Sequence, residues 1–282
     1  MRRLLLGIAA AVALFFGAST AWAGPWKVEP GEAYLELGWA RLVADQLADA
    51  DGNDLDIPDF TQDELALYGA FGLGGRWTAI VRAPLYRRSE VDGFGSADGV
   101  GDLQLGLQAQ LWESGPWRLA ARGLVQAPTG DENAGQGALP TGTGVWEGEA
   151  WASLGRSFGV EGRGYGFVEL GHLTRGGGLV DGILFRAELG HRFGKDGRWL
   201  AAARVWGVEP YEDPADRPTA SAAGLGDDVA YLALGPSLRW ECAKGWALQA
   251  ALDGAASARN VALGPTLRLG VSYSGGLWGG GR

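Results

Sequence analysis

The sequence predicts an all-β fold, a closed antiparallel transmembrane β-barrel of about twelve strands. Three observations carry that expectation. Two-faced segments of strand length recur along the chain, their links alternate between very short and long, and both follow an N-terminal export signal. A closed barrel leaves no open sheet edge, which lets strands cross a bilayer.

Arg2 and Arg3 precede an apolar run from Leu4 to Ala18, and Ala21-Trp22-Ala23 supplies the small-x-small pattern that signal peptidase reads. Residues 1–23 are therefore expected to be a signal peptide, and 24–282 one outer-membrane barrel with a short C-terminal tail. The full chain carries 24 basic and 33 acidic residues, a formal charge of -9. Losing Arg2 and Arg3 leaves 22 basic against 33 acidic residues, or -11. So acidic an exported chain argues against nucleic acid as a partner. The single cysteine, Cys242, makes no internal disulfide and reads as an inert side chain near a strand end. Forty-nine glycines with one methionine suit no packed helical core, and they lack the strict third-residue period of collagen. No Ser/Pro-rich or charged linker divides the chain into domains.

The expected strands begin with 32–42, 61–74 and 77–89. The clearest follows in Leu103-Gln104-Leu105-Gly106-Leu107-Gln108-Ala109-Gln110-Leu111, where odd positions are apolar and even ones polar or glycine. A helix would scatter those glutamines, whereas a strand gathers them on one face. Next, Trp117, Leu119, Ala121 and Val125 oppose Arg118, Arg122 and Gln126. Segments 144–158 and 160–173 come after, the second with Glu161, Arg163, Tyr165 and Glu169 facing Gly162, Gly164 and Gly166. Ile183, Phe185, Ala187 and Leu189 oppose Arg186 and Glu188. Segments 199–210, 229–242 and 246–256 precede a last strand in which Leu263, Leu267, Leu269 and Val271 oppose Thr266, Arg268, Gly270 and Ser272.

Short links fall near Gly74-Gly75-Arg76, Ser114-Gly115-Pro116, Phe158-Gly159, Gly194 to Gly197 and Lys244-Gly245. Longer ones span 43–60, 90–100, 128–143, 174–181 and 211–227, and a short one near Ala258 breaks the alternation. Outer-membrane barrels keep short turns in the periplasm and long loops outside, so both chain ends are expected inside. Trp39, Trp77, Trp117, Trp146, Trp199, Trp240 and Trp246 lie near expected strand ends, where an indole suits the membrane interface. The terminal strand departs from the usual aromatic chain end, because nine residues follow Tyr273.

The charged face is expected to line the interior. It collects Glu36, Glu64, Arg82, Arg118, Arg122, Glu147, Glu149, Glu161, Arg163, Glu169, Arg186, Glu188, Arg204, Arg239, Asp253 and Arg268. Toward lipid such charges would cost roughly 2–4 kcal/mol each at mid-membrane. Mixed signs suit a network bracing the wall. Tyr86, Trp151, Tyr165, Phe167 and Trp206 share the inward parity, leaving room for an aromatic or amphipathic solute.

Gly99-Val100-Gly101-Asp102-Leu103, Ala127-Pro128-Thr129-Gly130-Asp131 and Leu139-Pro140-Thr141-Gly142-Thr143-Gly144 are the segments that carry a family likeness. Through them, and over much of residues 60–275, the chain resembles the outer-membrane β-barrel transporter-like family named for a pathway of phenol degradation. The resemblance implies passage of hydrophobic or aromatic compounds.

Asp45, Asp49, Asp51, Asp54, Asp56 and Asp59 crowd the first long link, and Asp227 and Asp228 another. Without EF-hand spacing these read as solvated acidic loops, with calcium or surface-cation bridging as the alternative. The Pro-Thr-Gly pairs at 128–130 and 140–142 read as paired turns. His172 and His191 have no ligand or triad pattern around them, and Ser153 and Ser157 lack a Gly-x-Ser-x-Gly elbow. No catalytic, cofactor-binding or metal residue is assigned, and no enzyme activity is expected. The expected function is passive passage or uptake of small solutes across the outer membrane of a Gram-negative-type cell. Its partners would be outer-membrane lipid, the barrel assembly machinery and a small-molecule solute. The alternative is a narrow or plugged structural barrel whose external loops bind a surface partner.

Overall fold

A computed structural model describes residues 24–132, 139–212 and 229–276. The signal segment, Asp227, Asp228 and the tail beyond Gly276 lie outside the described residues.

The strands are β1 Glu32–Ala48, β2 Asp54–Gly74, β3 Trp77–Val91, β4 Gly95–Gly99, β5 Leu103–Ser114, β6 Trp117–Ala127 and β7 Glu147–Phe158. They continue with β8 Gly164–Arg175, β9 Gly182–Phe193, β10 Trp199–Pro210, β11 Ala230–Ala243, β12 Trp246–Arg259, β13 Val261–Leu263 and β14 Thr266–Gly276. Short β4 folds back on β3, and short β13 pairs with the end of β1. The other twelve form one closed antiparallel barrel, each paired with its sequence neighbours. Closure comes from β1, which pairs with β2 on one side and with β14 on the other, Leu37 lying opposite both Leu67 and Val271. No edge strand is left unpaired in the ring.

Alternation sets the two faces. Leu37, Leu105, Leu107, Val125, Val168, Leu189, Leu234, Leu252 and Leu269 are exposed on the outer wall, while Glu36, Gln108, Arg122, Glu169, Arg204, Arg239 and Asp253 are buried inside. An apolar exterior around a polar interior inverts the soluble-protein pattern and matches a lipid-facing barrel. At the short-turn end the outer wall carries an aromatic patch. Trp199 stacks on Trp240 with centroids 5.6 Å apart and on Phe193 at 6.3 Å, and Trp246 packs against Tyr273 at 5.2 Å.

Several expectations need correction. The first long link shrinks to residues 49–53, because β1 runs on to Ala48 and β2 starts at Asp54. Asp45, Asp54, Asp56 and Asp59 therefore sit on strands, and Trp39 lies mid-strand rather than at an end. Glu161 and Arg163 do not enter the lumen. They belong to a 3₁₀ turn, Val160–Gly162, and its capping residue, where Glu161 takes a φ of 57°. Tyr86 faces outward because a bulge at Leu85 interrupts parity: Pro84 pairs with Ala66 and Tyr86 with the adjacent Leu65. Beyond the bulge it is Arg87 and Ser89 that point inward and are buried. Leu263 belongs to β13, separated from β14 by Gly264 and Pro265.

Candidate functional site: the lumen

Three layers fill the barrel. At the long-loop end the wall turns apolar, with Leu42, Phe60, Val91, Val208, Val229 and Val261 buried in one cluster. Residues 139–142 of the β6–β7 connection fold into this layer, burying Leu139 and Thr141. Asp102 pins it: one carboxylate oxygen accepts the Gly130 N–H at 2.9 Å, the other the Thr143 N–H at 2.6 Å. Thr141 closes the pair of turns, its N–H donating to the Asp131 carbonyl at 2.7 Å while its hydroxyl accepts the Asp131 N–H at 2.9 Å. Arg87 then donates from Nη1 to the Thr141 carbonyl at 2.8 Å, tying the connection to the inner wall. The two Pro-Thr-Gly turns thus do pair, and the aspartate of the Gly-x-Gly-Asp segment is what joins them.

The middle layer is charged, and its carboxylates are shared. Glu64 accepts Arg87 at 2.6 Å and Arg82 at 3.4 Å. Glu169 sits 3.3 Å from Arg122 and 3.6 Å from Arg186, and it accepts the Ser153 hydroxyl at 2.6 Å. Asp253 accepts Arg204 at 2.7 Å and also Arg268. Each of these carboxylates is buried and serves two guanidiniums. Burying a charge is costly unless it is paired and hydrogen-bonded, which is why the pairs lie where the strands bring opposite charges across the wall. Near the short-turn end Glu36 accepts hydrogen bonds from Tyr34 and Gln249.

Within this layer lies a cavity of about 170 Å³ walled by strands from β2 to β11. Its aromatic lining includes Tyr68, Trp151, Trp206 and Tyr231. Arg122 and Arg186 lie over the Trp151 ring at 5.1 Å and 5.9 Å from its centroid. Glu147 is held by Arg175 at 2.9 Å, and Glu149 by Gln104 and the Trp151 indole N–H, both at 2.6 Å.

The third layer was not foreseen from the sequence. Residues 24–31, ahead of β1, lie inside the barrel at its short-turn end, with Pro25 and Val28 buried. Trp26 packs edge-on against the inward rings of Tyr165 and Phe167, with centroids 5.7 Å and 6.0 Å away. Its carbonyl accepts Gln108 Nε2 at 3.0 Å, and the Val28 N–H donates to Thr78 Oγ1 at 3.0 Å. Two wall glycines make room, since a β-carbon on Gly155 would meet Pro25 Cγ at 2.6 Å and one on Gly72 the Glu29 carbonyl oxygen at 2.0 Å. The available signal was Gly155 and Gly72 on inward parity, where a bracing residue would be expected.

The remaining candidates are not brought together. Ser153 is inside on Glu169, whereas His172 lies on the outer side at the long-loop end against Tyr211, Nδ1 to hydroxyl 2.7 Å. His191 is exposed near the opposite end of its strand. Asp49 is spent on its own turn, accepting N–H groups from Asn53 at 2.8 Å and Asp51 at 2.9 Å. No group of three or more His, Cys, Asp or Glu among the described residues is placed to hold a metal.

In sequence, residues 24–161 match the family described as "Putative MetA-pathway of phenol degradation", the family of the resemblance above, so the likeness read on to residue 275 is matched only as far as residue 161. No curated protein matches the chain. In fold, the chain is similar to an outer membrane channel from Pseudomonas putida F1, with a TM-score of 0.64 at 16% identity, covering 92% of this chain and 100% of that one. The NanC porin aligns with a TM-score of 0.54 at 9% identity, over 85% of this chain and 98% of its own. A KdgM porin in complex with disordered oligogalacturonate aligns at 0.50 and 7% identity, over 85% and 99%. The architecture is that of an outer-membrane, porin-like barrel.

Proposed function

We propose that the chain carries small solutes passively across the outer membrane of a Gram-negative-type cell, without catalysis, and that residues 24–31 gate the passage at its periplasmic end. The observation that carries this reading is the lumen cavity lined by both charged and aromatic side chains, with residues 24–31 seated in the short-turn end of the same barrel. The wall around the cavity is braced by buried charge-sharing triads, whereas the plug holds to the wall mostly through neutral hydrogen bonds, Gln108 donating to the Trp26 carbonyl and the Lys27, Val28 and Gly31 N–H groups donating to Gln110, Thr78 and the Gly72 carbonyl, and through ring edges. Hydrogen bonds of that kind contribute roughly 0.5–1.5 kcal/mol each, against about 3–5 kcal/mol for breaking a buried ion pair. The plug is thus the element that yields first. The β6–β7 connection, fastened by Asp102 and Arg87, stays with the wall.

The fold relatives support a passage, since the first is an outer membrane channel and the next are porins. The aromatic lining of the cavity is compatible with an aromatic or amphipathic solute. The test is solute flux and single-channel conductance of the purified protein in liposomes, with and without residues 25–30. Flux that rises on deletion supports gated passage. Absence of flux from both proteins over a broad solute panel would sink it, and would favour the structural barrel closed at both ends.

A further inference from the structure

We propose that the outer wall of the barrel holds a glycerophospholipid of the periplasmic leaflet, its phosphate on Arg156 and an acyl chain in the groove that crosses β7 to β11. The proposal rests on the barrel standing in a membrane, and not on the reading of its lumen as a passage.

Arg156 is the odd charge of that wall. It is exposed on β7 with Leu154 and Phe158, on the opposite parity from the buried Ser153 and Gly155. The other strand arginines that face outward bring their own carboxylates: Arg41 has Asp63 at 3.6 Å, Arg88 has Glu90 at 3.0 Å, and Arg259 has Glu209. Among the described residues Arg156 makes neither an ion pair nor a hydrogen bond. Its guanidinium lies over the Trp117 ring, Cζ 5.2 Å from the centroid, a contact that spends none of its N–H donors. Trp117 opens β6 directly after the short turn at residues 115–116 and pairs in register with Arg156. The guanidinium therefore stands near the short-turn interface, where indoles gather and lipid phosphates lie.

From Arg156 an apolar groove of about 710 Å³ runs across the wall. Gly166, Ala187 and Ala203 have little or no side chain and form its floor, while Leu154, Phe158, Val168 and Leu234 stand exposed along it. Leu189 pairs in register with both Gly166 and Ala203, so a recess opens on either side of it. The volume falls within the roughly 300–1,000 Å³ usual for small-molecule sites. Aliphatic walls with a single unmatched cation at one end complement a molecule with an apolar tail and an anionic head. A guanidinium donates well to phosphate oxygens, and its attraction strengthens where water is scarce. A second copy docked across a two-fold axis would instead bring two such patches, each with its unmatched cation, into one interface.

The full chain in detergent micelles is titrated with dioleoylphosphatidylglycerol or with dioleoylglycerol, which has the same chains and no phosphate. Native mass spectrometry reads the lipid retained on each barrel. The phospholipid is expected to bind at least about ten-fold more tightly, because only it makes the charge-assisted contact. Arg156→Gln is expected to remove that difference. Ala203→Trp, which fills the groove and leaves the arginine, is expected to weaken the phospholipid several-fold, and Arg88→Gln, on the far part of the wall, to change neither lipid. Gel mobility of the unheated barrel confirms that each variant folds, and if Arg156→Gln does not, Ala203→Trp decides. Equal retention of the two lipids by the parent, a phospholipid affinity indifferent to Arg156→Gln or to Ala203→Trp, or barrel dimers in place of lipid adducts would each overturn the proposal. Lipid retention needs no flux, so a closed channel leaves a positive result standing, and conductance without lipid preference removes the lipid site and leaves the passage intact.

Discussion

The Gly72 backbone lies so close to Glu29 that a β-carbon added to it would sit 2.0 Å from the Glu29 carbonyl oxygen. The same stretch is tied by the Gly31 N–H donating to the Gly72 carbonyl at 3.2 Å. The first layer inside the short-turn end therefore depends on a missing side chain in the wall.

Gly72→Val is expected to displace residues 24–31 while leaving the barrel folded, because the collision falls on the plug and Gly72 keeps its register with Thr78 of β3. In a planar bilayer the variant should show higher conductance than the parent, and Lys27 should react faster with a membrane-impermeant amine reagent. Unchanged conductance and unchanged labelling would exclude a plug seated on Gly72.

Glu64 binds Arg87 and Arg82 and is almost wholly buried. Glu64→Gln removes the carboxylate that Arg82 and Arg87 share, and the buried Arg87 pair dominates, so a loss of about 3–5 kcal/mol is expected. Arg82→Gln should cost less, since Arg82 is a quarter exposed and Glu64 keeps Arg87. Urea unfolding from lipid vesicles orders the two, and equal losses would mean that the triad does not act through burial.

Leu85 is the extra residue of the β3 bulge, so deleting it should restore a regular strand with Arg87 still inward. Deleting Leu105 instead would turn one end of β5 inside out, exposing glutamines to lipid. Assembly yields in outer membranes should stay near the parent for the first deletion and collapse for the second. The opposite order would refute the bulge assignment.

The stacked Trp199 and Trp240 and the nearby Trp246 face outward near the short-turn end, while Trp151 and Trp206 face the lumen. Lipids brominated near the headgroup should quench the first group, and lipids brominated at the chain end much less. Variants retaining only Trp151 or Trp206 should be nearly insensitive to both.

The Asn53 backbone N–H, helped by its side chain and by Asp51, holds the Asp49 carboxyl below the usual carboxylate range. A carboxyl depressed in the folded state contributes to the β1–β2 turn above its unfolded value of about 3.9, and that contribution is lost as pH falls through the lower folded value. The turn should therefore stay closed through mildly acidic conditions and loosen only below them. The Asn53 amide shift followed by NMR against pH reads this directly, and a midpoint at or above the unfolded value would contradict it.

Much of the barrel was legible because it is local. Leu103 to Leu111 alternate whatever strands flank them, and the short turns at Gly74-Gly75 and Gly115 announce themselves in composition. The candidate site was legible only as a face. Arg122, Glu169 and Arg186 were correctly placed inside, while Arg87 was missed because one extra residue at Leu85 inverts the parity on which the reading depends. Glu161 and Arg163 were misplaced for a related reason, since a 3₁₀ turn can carry the same alternating letters as a strand end.

By itself, the sequence determined an all-β chain whose strands alternate between an apolar and a polar face, joined by turn-rich links. Those properties follow from a period of two and from turn chemistry, both readable within a few residues. Only the tertiary structure decided that carboxylates are shared between pairs of arginines, that Asp102 draws the β6–β7 connection inward, and that the segment before β1 returns into the barrel. Those meetings join residues far apart in the chain, and which side chains face one another across a closed sheet is set by strand register and closure rather than by local pattern.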